Sequence, residues 1–252
     1  KNYNYFIETS STAARPYTFV LKDGNGKVVK ELQNNDAQLQ KLKADQFIEK
    51  EFMTIPNEAG DQMNAWIIKP KNFDKNKKYP LFMFQSSGPG SQQVANSWDN
   101  GNALWFEMLA QKGYVVACVD GRGTGYKGAK FKKVTYMNLG KYEIEDQIAA
   151  AKWFGNQSYI DKSRIGMFGW SFGGYMTSLA MTKGADVFKM GIAVAPVTNW
   201  RYYDSVYTER FLRTPQENPD GYDKNSPTEY ANLLKGKFLL IHGTADDNVH
   251  VQ

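Results

Sequence analysis

Histidine and cysteine are almost missing from this chain. Its 252 residues hold two histidines, His242 and His250, both within the last eleven positions, and one cysteine, Cys118. A single cysteine excludes an intramolecular disulfide and a cysteine-rich metal site. It sits in the apolar run Tyr114-Val115-Val116-Ala117-Cys118-Val119, where a small buried hydrophobe is the natural reading. Two late histidines among scattered carboxylates offer no metal-ligand spacing, so neither a metal nor another cofactor is expected. No run approaches the roughly 18 consecutive apolar residues of a membrane span. The basic excess is small, 31 Lys and Arg against 26 Asp and Glu, and scattered, with short clusters such as Lys130-Phe131-Lys132-Lys133. Without a continuous basic face or a reader motif, that balance describes a solvated surface and not a nucleic-acid footprint.

What is present is material for a core. The chain is 42% hydrophobic, with 15 Tyr, 15 Phe and 6 Trp, which excludes global disorder. Its length allows one large domain or two small ones. Residues 1–50 read as β-hairpin sequence and a polar connector. Arg15–Leu21 is strand-like, Asp23-Gly24-Asn25-Gly26 is turn chemistry, and Asn35-Asp36 caps a short helix carrying Leu39 and Leu42. From residue 51 the texture changes. Strands are expected at Phe52–Ile55, Ala65–Lys69, Leu81–Gln85, Tyr114–Asp120, Ile165–Gly169, Met190–Ala195 and Phe238–His242. The later ones are short and almost continuously apolar, as parallel strands covered on both faces are. Helices at Tyr142–Phe154 and Phe172–Lys183 fall between them. Such alternation argues an α/β fold with a mainly parallel sheet.

The sharpest motif is Gly169-Trp170-Ser171-Phe172-Gly173, followed by Gly174. A predicted strand runs into it and a predicted helix opens from it. That is the setting of a nucleophile elbow, where flanking glycines admit the sharp turn that exposes a serine hydroxyl. A serine needs a base, and the base needs an orienting carboxylate. The run Phe238–Asp247 supplies the acid, Asp246, at the end of an apolar strand, while Asp247 serves the loop. Neither histidine fits the base: His242 precedes Asp246 and suits a bond to the loop, and His250 follows by only four residues. The GxGxxG at Gly123–Gly128 is expected to be a tight structural loop, because Ala129–Lys133 lacks the amphipathic period of a dinucleotide helix. Val197, Trp200, Tyr202, Tyr203 and Tyr207 follow the strand at 190–195, either as a packed core helix or as an apolar pocket beyond the strand ends.

Gly169–Tyr175, Val194–Arg210 and His242–His250 resemble the dipeptidyl peptidase IV branch of the prolyl oligopeptidase family, as do Asp120–Tyr126 and Tyr142–Gln147. The resemblance covers about residues 50–252 and implies an α/β-hydrolase fold, with a mainly parallel sheet and helices on both faces. It makes residues 1–50 a short β tail from a propeller and residues 51–252 the peptidase domain. It implies a serine exopeptidase that releases N-terminal dipeptides with Pro or Ala in second position through an acyl-enzyme on Ser171. By the same resemblance Asp246 is the triad acid and the Phe172 N–H is an oxyanion donor. Val197, Trp200, Tyr203, Tyr207 and Val249 would take the proline ring, and Asn248 would bond a substrate carbonyl. It further implies a homodimer, a propeller and a C-terminal segment packed on this domain, and a periplasmic, cell-surface or secreted location.

Three departures accompany it. The triad histidine of the family, expected downstream of Asp246, has only six residues in which to occur. The propeller with its ammonium-binding acids is represented by its tail alone. Ser86 stands where the family has the tyrosine whose phenol is the second oxyanion donor. The expectation is therefore a hydrolase domain truncated at its C-terminus, inactive as it stands, with an exposed sheet edge and apolar surface. An esterase or acylaminoacyl-type hydrolase, and a non-catalytic hydrolase-fold binding module, are the alternatives.

Overall fold

The computed structural model describes residues 3–99 and 101–251. Strands β1 (Tyr5–Thr12), β2 (Arg15–Asp23) and β3 (Val28–Gln33) form an antiparallel sheet of their own. Its second turn forms because Asp23 Oδ1 accepts the N–H groups of Asn25 (2.9 Å) and Lys27 (3.0 Å), with Gly26 at φ 83°. Helix α1 (Asp36–Ala44) follows as expected, but Asn35 does not cap it with its side chain. The Asn35 amide donates instead to Tyr17 O, and Asn34 Oδ1 takes the Asp36 N–H. Leu42 of α1 packs with Trp98, Ala103, Tyr17 and Phe47, which seats this segment on the larger body.

That body is a seven-stranded sheet of β4 (Glu51–Pro56), β5 (Gln62–Ile68), β6 (Tyr79–Gln85), β7 (Val115–Asp120), β8 (Ile160–Trp170), β9 (Met190–Val194) and β10 (Lys237–Ile241). Its spatial order is β10-β9-β8-β6-β7-β5-β4. The pairs from β10 to β7 are parallel, and β5 and β4 continue antiparallel. Side chains alternate across this sheet. Leu81, Met83, Val115, Ala117 and Val119 enter one core, with Ile144, Phe154, Tyr175 and Leu179 of α4 (Lys141–Gly155) and α5 (Phe172–Thr182). Phe82, Phe84, Val116 and Cys118 enter the other, with Phe106 and Ala110 of α2 (Ala103–Gln111). Both faces are thus covered, which is why these strands read as unbroken apolar runs.

All seven strands expected after residue 50 are present, with shifted ends. Strand β8 starts earlier than expected, at Ile160, because a bulge lets Ile160 pair with Tyr79 before the regular register begins at Leu81 and Ile165. Helix α2 was not legible: Asn102 gives it no side-chain cap, and Leu104 and Met108 on its outer face are exposed. A correction concerns residues 129–133, whose sequence shows no amphipathic period. A short helix α3 (Gly128–Lys133) opens there, with Phe131 its one buried side chain, too little to set a visible period. Between β9 and β10 lie two more short helices, α6 (Ser205–Leu212) and α7 (Pro219–Asp223), and two 3-10 helices at Trp200–Tyr202 and Pro227–Leu233. Among the described residues β10 pairs only with β9, and Leu239, Leu240 and Ile241 are exposed. No described helix is long and apolar enough to cross a membrane.

Candidate active site

The sheet register sets the site. Gln85 lies opposite Gly169, Trp170 opposite Val194, and Val194 opposite Ile241. The residues that follow these strand ends therefore emerge at one level, on the carboxyl side of parallel strands, where such folds bind ligands. Ser86 leaves β6 there, Ser171 leaves β8, Val197 follows β9 and Asp246 follows β10.

Ser171 occupies the turn between β8 and α5 at φ 56°, ψ −117°, a conformation an L-residue adopts only under constraint. Its N–H donates to Val194 O (2.9 Å), and its carbonyl accepts the Tyr175 N–H (2.9 Å) to start the helix. The glycines are needed for space. A Cβ on Gly169 would run into the carbonyl of Gly173, one on Gly173 into that of Gln85, and one on Gly174 would come within 2.7 Å of Val194 O. Phe172 is the first residue of α5, so its N–H is one of those a helix start leaves without an intrahelical acceptor. Such a free N–H and the positive end of the helix are features that suit an anion.

Ser86 is half-buried beside this turn: a Cβ on Gly173 would lie 3.2 Å from its Cα. Ser87, next along, is at φ 55° and donates its hydroxyl to Gln85 Oε1 (2.8 Å). Gly88, at φ 92°, leaves room for the Phe172 ring, which a Cβ would meet at 3.1 Å. The backbone of Ser86 thus lies against the start of α5, next to the Ser171 turn, and its side chain is a short hydroxyl.

Asp246 presents one carboxylate oxygen to its own loop. Oδ1 accepts the N–H groups of Asn248 (3.1 Å) and Val249 (2.9 Å), and these bonds, the Val249 one foremost, hold the carboxyl below the usual range. Oδ2 lies 3.6 Å from His242 Nε2, which bonds Val249 O at 2.7 Å. His242 therefore braces the loop, and His250 is exposed. Neither ring is hydrogen-bonded to Ser171 among the described residues. Among the described residues, no group of three or more His, Cys, Asp or Glu side chains converges as metal ligands would.

Val197, Trp200 and Val249 are buried in the same core, with Tyr203 and Tyr207 half-buried against it. Trp200 stacks on Tyr207 (centroids 5.8 Å) and meets Tyr203 and Tyr175 edge-on, while Tyr203 and Tyr207 pack edge to face. Trp200 is therefore core, and the two tyrosines pack against it half-buried. Tyr202, counted with them in the sequence, is exposed. Tyr203 Oη donates to Asn248 Oδ1 (3.2 Å), which leaves the Asn248 amide N–H groups to point elsewhere.

The glycine-rich loop is explained by a buried ion pair. Arg122 Nε and Nη2 donate to Asp146, at 2.7 Å for the closest pair, and the Arg122 N–H adds a further bond at 2.7 Å. Asp146 is 1% exposed, and a Cβ on Gly121 would press on it at 2.8 Å. The Asp120–Tyr126 and Tyr142–Gln147 motifs are therefore two halves of one clamp.

Sequence reasoning also missed Glu143. It accepts the Gly140 N–H (2.9 Å) at the start of α4, its Oε1 has no partner, and burial pushes its carboxyl up to about 8. Folding thus favours the protonated form. The resulting stabilisation is fully present below the ordinary Glu range and is lost as pH rises through about 8. Glu143→Gln keeps an acceptor for Gly140 without a charge to bury. It should flatten the fall in melting temperature of residues 1–252 between roughly pH 5 and 8. A variant that declines in parallel with the wild type would assign that fall to another group.

Comparison with known proteins agrees with this fold. Residues 102–252 match the sequence profile described as Prolyl oligopeptidase family. A probable dipeptidyl-aminopeptidase B of Pyrenophora teres f. teres is 41% identical over 98% of this chain and 29% of its own length. The protein of that name from Neurospora crassa is 48% identical over 78% of this chain and 21% of its own. Among solved structures, Porphyromonas gingivalis dipeptidyl peptidase 4 superposes on all of this chain with a TM-score of 0.95 at 50% identity. A putative dipeptidyl aminopeptidase IV from Bacteroides ovatus gives 0.88 at 35% identity over 99% of the chain. The chain spans 35% of each of those two solved chains.

Proposed function

The chain belongs to the prolyl oligopeptidase family, and from that membership we propose that it carries the nucleophile, acid and specificity pocket of a dipeptidyl peptidase. The observation that carries the reading is Ser171, held at φ 56° at the start of α5 beside a wall of Trp200, Tyr203 and Tyr207. In this reading Ser171 Oγ attacks the carbonyl carbon of the substrate's second residue, giving up its proton to a base. The tetrahedral oxyanion is met by the Phe172 N–H. Collapse expels the amine of the remaining peptide, which takes the proton, and water then hydrolyses the acyl-enzyme. Asp246 is the acid that orients the base. A flat pyrrolidine or a methyl group fits against Val197, Trp200, Tyr203, Tyr207 and Val249, so selection of Pro or Ala rests on shape. The Asn248 amide, with its oxygen engaged by Tyr203, is free to donate to a substrate carbonyl. Residues 1–50 are proposed to belong to a neighbouring β domain, a reading supported by their separate antiparallel sheet.

Because neither histidine bonds Ser171, residues 1–252 by themselves should release no chromophore from a Gly-Pro anilide. The test pairs that polypeptide with a chimera in which it replaces the corresponding segment of the P. gingivalis enzyme. A fluorophosphonate adduct on Ser171 and turnover in the chimera alone are expected. Turnover by residues 1–252 at the chimera's rate would overturn the assignment of a base outside them. One observation favours a second reading, a non-catalytic binding module: the short Ser86 hydroxyl. A folded chimera that never labels at Ser171 would establish it.

A further inference from the structure

Asp120 ends β7 and is 3% exposed, yet among the described residues no Lys, Arg or His is bonded to it. Its carboxylate faces the segment running from β6 towards α2. Both oxygens accept the Gln93 N–H (3.0 and 3.1 Å), and Oδ2 also accepts the Val94 N–H at 2.8 Å. These are charge-assisted bonds in a mostly dry setting, the strong kind. The same segment is tied at other points by uncharged bonds: Trp66 Nε1 to Gln93 O (3.1 Å), Gly90 N to Gly123 O (3.1 Å) and Gly125 N to Ser91 O (2.9 Å). Its first residue is Ser86, beside the Ser171 turn.

We propose that Asp120 is a positioning residue: its ionised carboxylate clamps the amides of Gln93 and Val94 and thereby fixes the backbone of Ser86 beside Ser171. The clamp deepens the peptidase reading, since Ser86 matters there as the oxyanion position. Burial works against the clamp. It raises the Asp120 carboxyl to about 6, although the Val94 and Gln93 amides pull the other way. An ionised Asp120 therefore weakens the fold: its favourable contribution is complete below the ordinary Asp range and lost as pH rises through about 6. A group retained at such a cost serves geometry better than stability. The titratable group that feels its charge is the buried thiol of Cys118, two residues back on the same strand.

The experiment needs no turnover. Amide nitrogen and proton shifts of Gln93, Val94 and Ser86 are followed from pH 4 to 8 by NMR in residues 1–252, beside Asp120→Asn. The variant keeps one acceptor oxygen and loses the charge. Expected is a titration centred near 6 at all three amides, absent from D120N. Hydrogen exchange over residues 86–94 should become about tenfold faster in the variant, and only there, as replacing charged by neutral acceptors implies. Amides that do not titrate, or exchange that quickens evenly across the sheet, would reduce Asp120 to a structural group and overturn the clamp. If the clamp titrates while the folded chimera never labels at Ser171, the peptidase reading fails and the positioning of the loop stands.

Discussion

Ser86→Tyr in the chimera is expected to raise kcat about 10²–10³-fold and leave KM nearly unchanged, the scale of one oxyanion-hole donor. The reason is reach. Residue 86 leaves β6 at the level of Ser171, and its Cα is close enough to α5 that Gly173 cannot carry a side chain. From that backbone a phenol carries its hydroxyl one aromatic ring further out than serine does. It can then donate opposite the Phe172 N–H, to an oxygen that bears charge only in the tetrahedral state. A donor used only there lowers the barrier without tightening substrate binding, so the change falls on kcat. Steady-state rates on a Gly-Pro anilide decide it. A change in kcat of less than a few-fold would mean that residue 86 does not supply the second donor, or that another group already does.

Gly173→Ala is expected to be the most damaging small substitution in the elbow, costing about 3 kcal/mol. For a chain of this size that corresponds to a melting temperature lowered by roughly 6–12 °C. Alanine is the better helix former, so propensity alone would predict a gain of up to about 1 kcal/mol. Sterics reverse the sign. The new methyl would collide with the Gln85 carbonyl and lie 3.0 Å from its carbon, both backbone atoms of a central strand that cannot swing away. The start of α5 would have to lift from β6, and Ser171 with it. Gly243, which has nothing within 4 Å of its Cβ position and no left-handed φ, is the control for general glycine effects. Melting of purified residues 1–252 checks the prediction. An unchanged melting temperature for G173A would mean that the elbow relaxes freely.

Much of the site was legible because its signals are local. The Gly169–Gly173 spacing marks the elbow by the glycines its turn needs, and Asp246 stands out after an apolar strand. Asp120, Glu143 and the Arg122–Asp146 pair carry no such mark, since their meaning lies in partners far along the chain. Asp120 is 27 residues from Gln93, and Arg122 is 24 from Asp146. A sequence pattern reports the period of an element and the chemistry of a turn, both set by neighbouring residues.

By itself, then, the sequence determined the α/β class, the strands of the main sheet, the strand-to-helix turn at Ser171 and the family. Each follows from short-range periodicity, turn chemistry or a long contiguous motif. Only the tertiary structure decided what stands beside what. It brought Ser86 to the level of Ser171 through the β6–β8 register and turned the two acidic and glycine-rich motifs into a single ion-pair clamp. It also engaged His242 with the Val249 carbonyl and placed two carboxyls, Asp120 and Glu143, where burial moves their protonation toward neutral pH. Those outcomes depend on distances and desolvation, which exist only once strands distant in sequence lie next to one another.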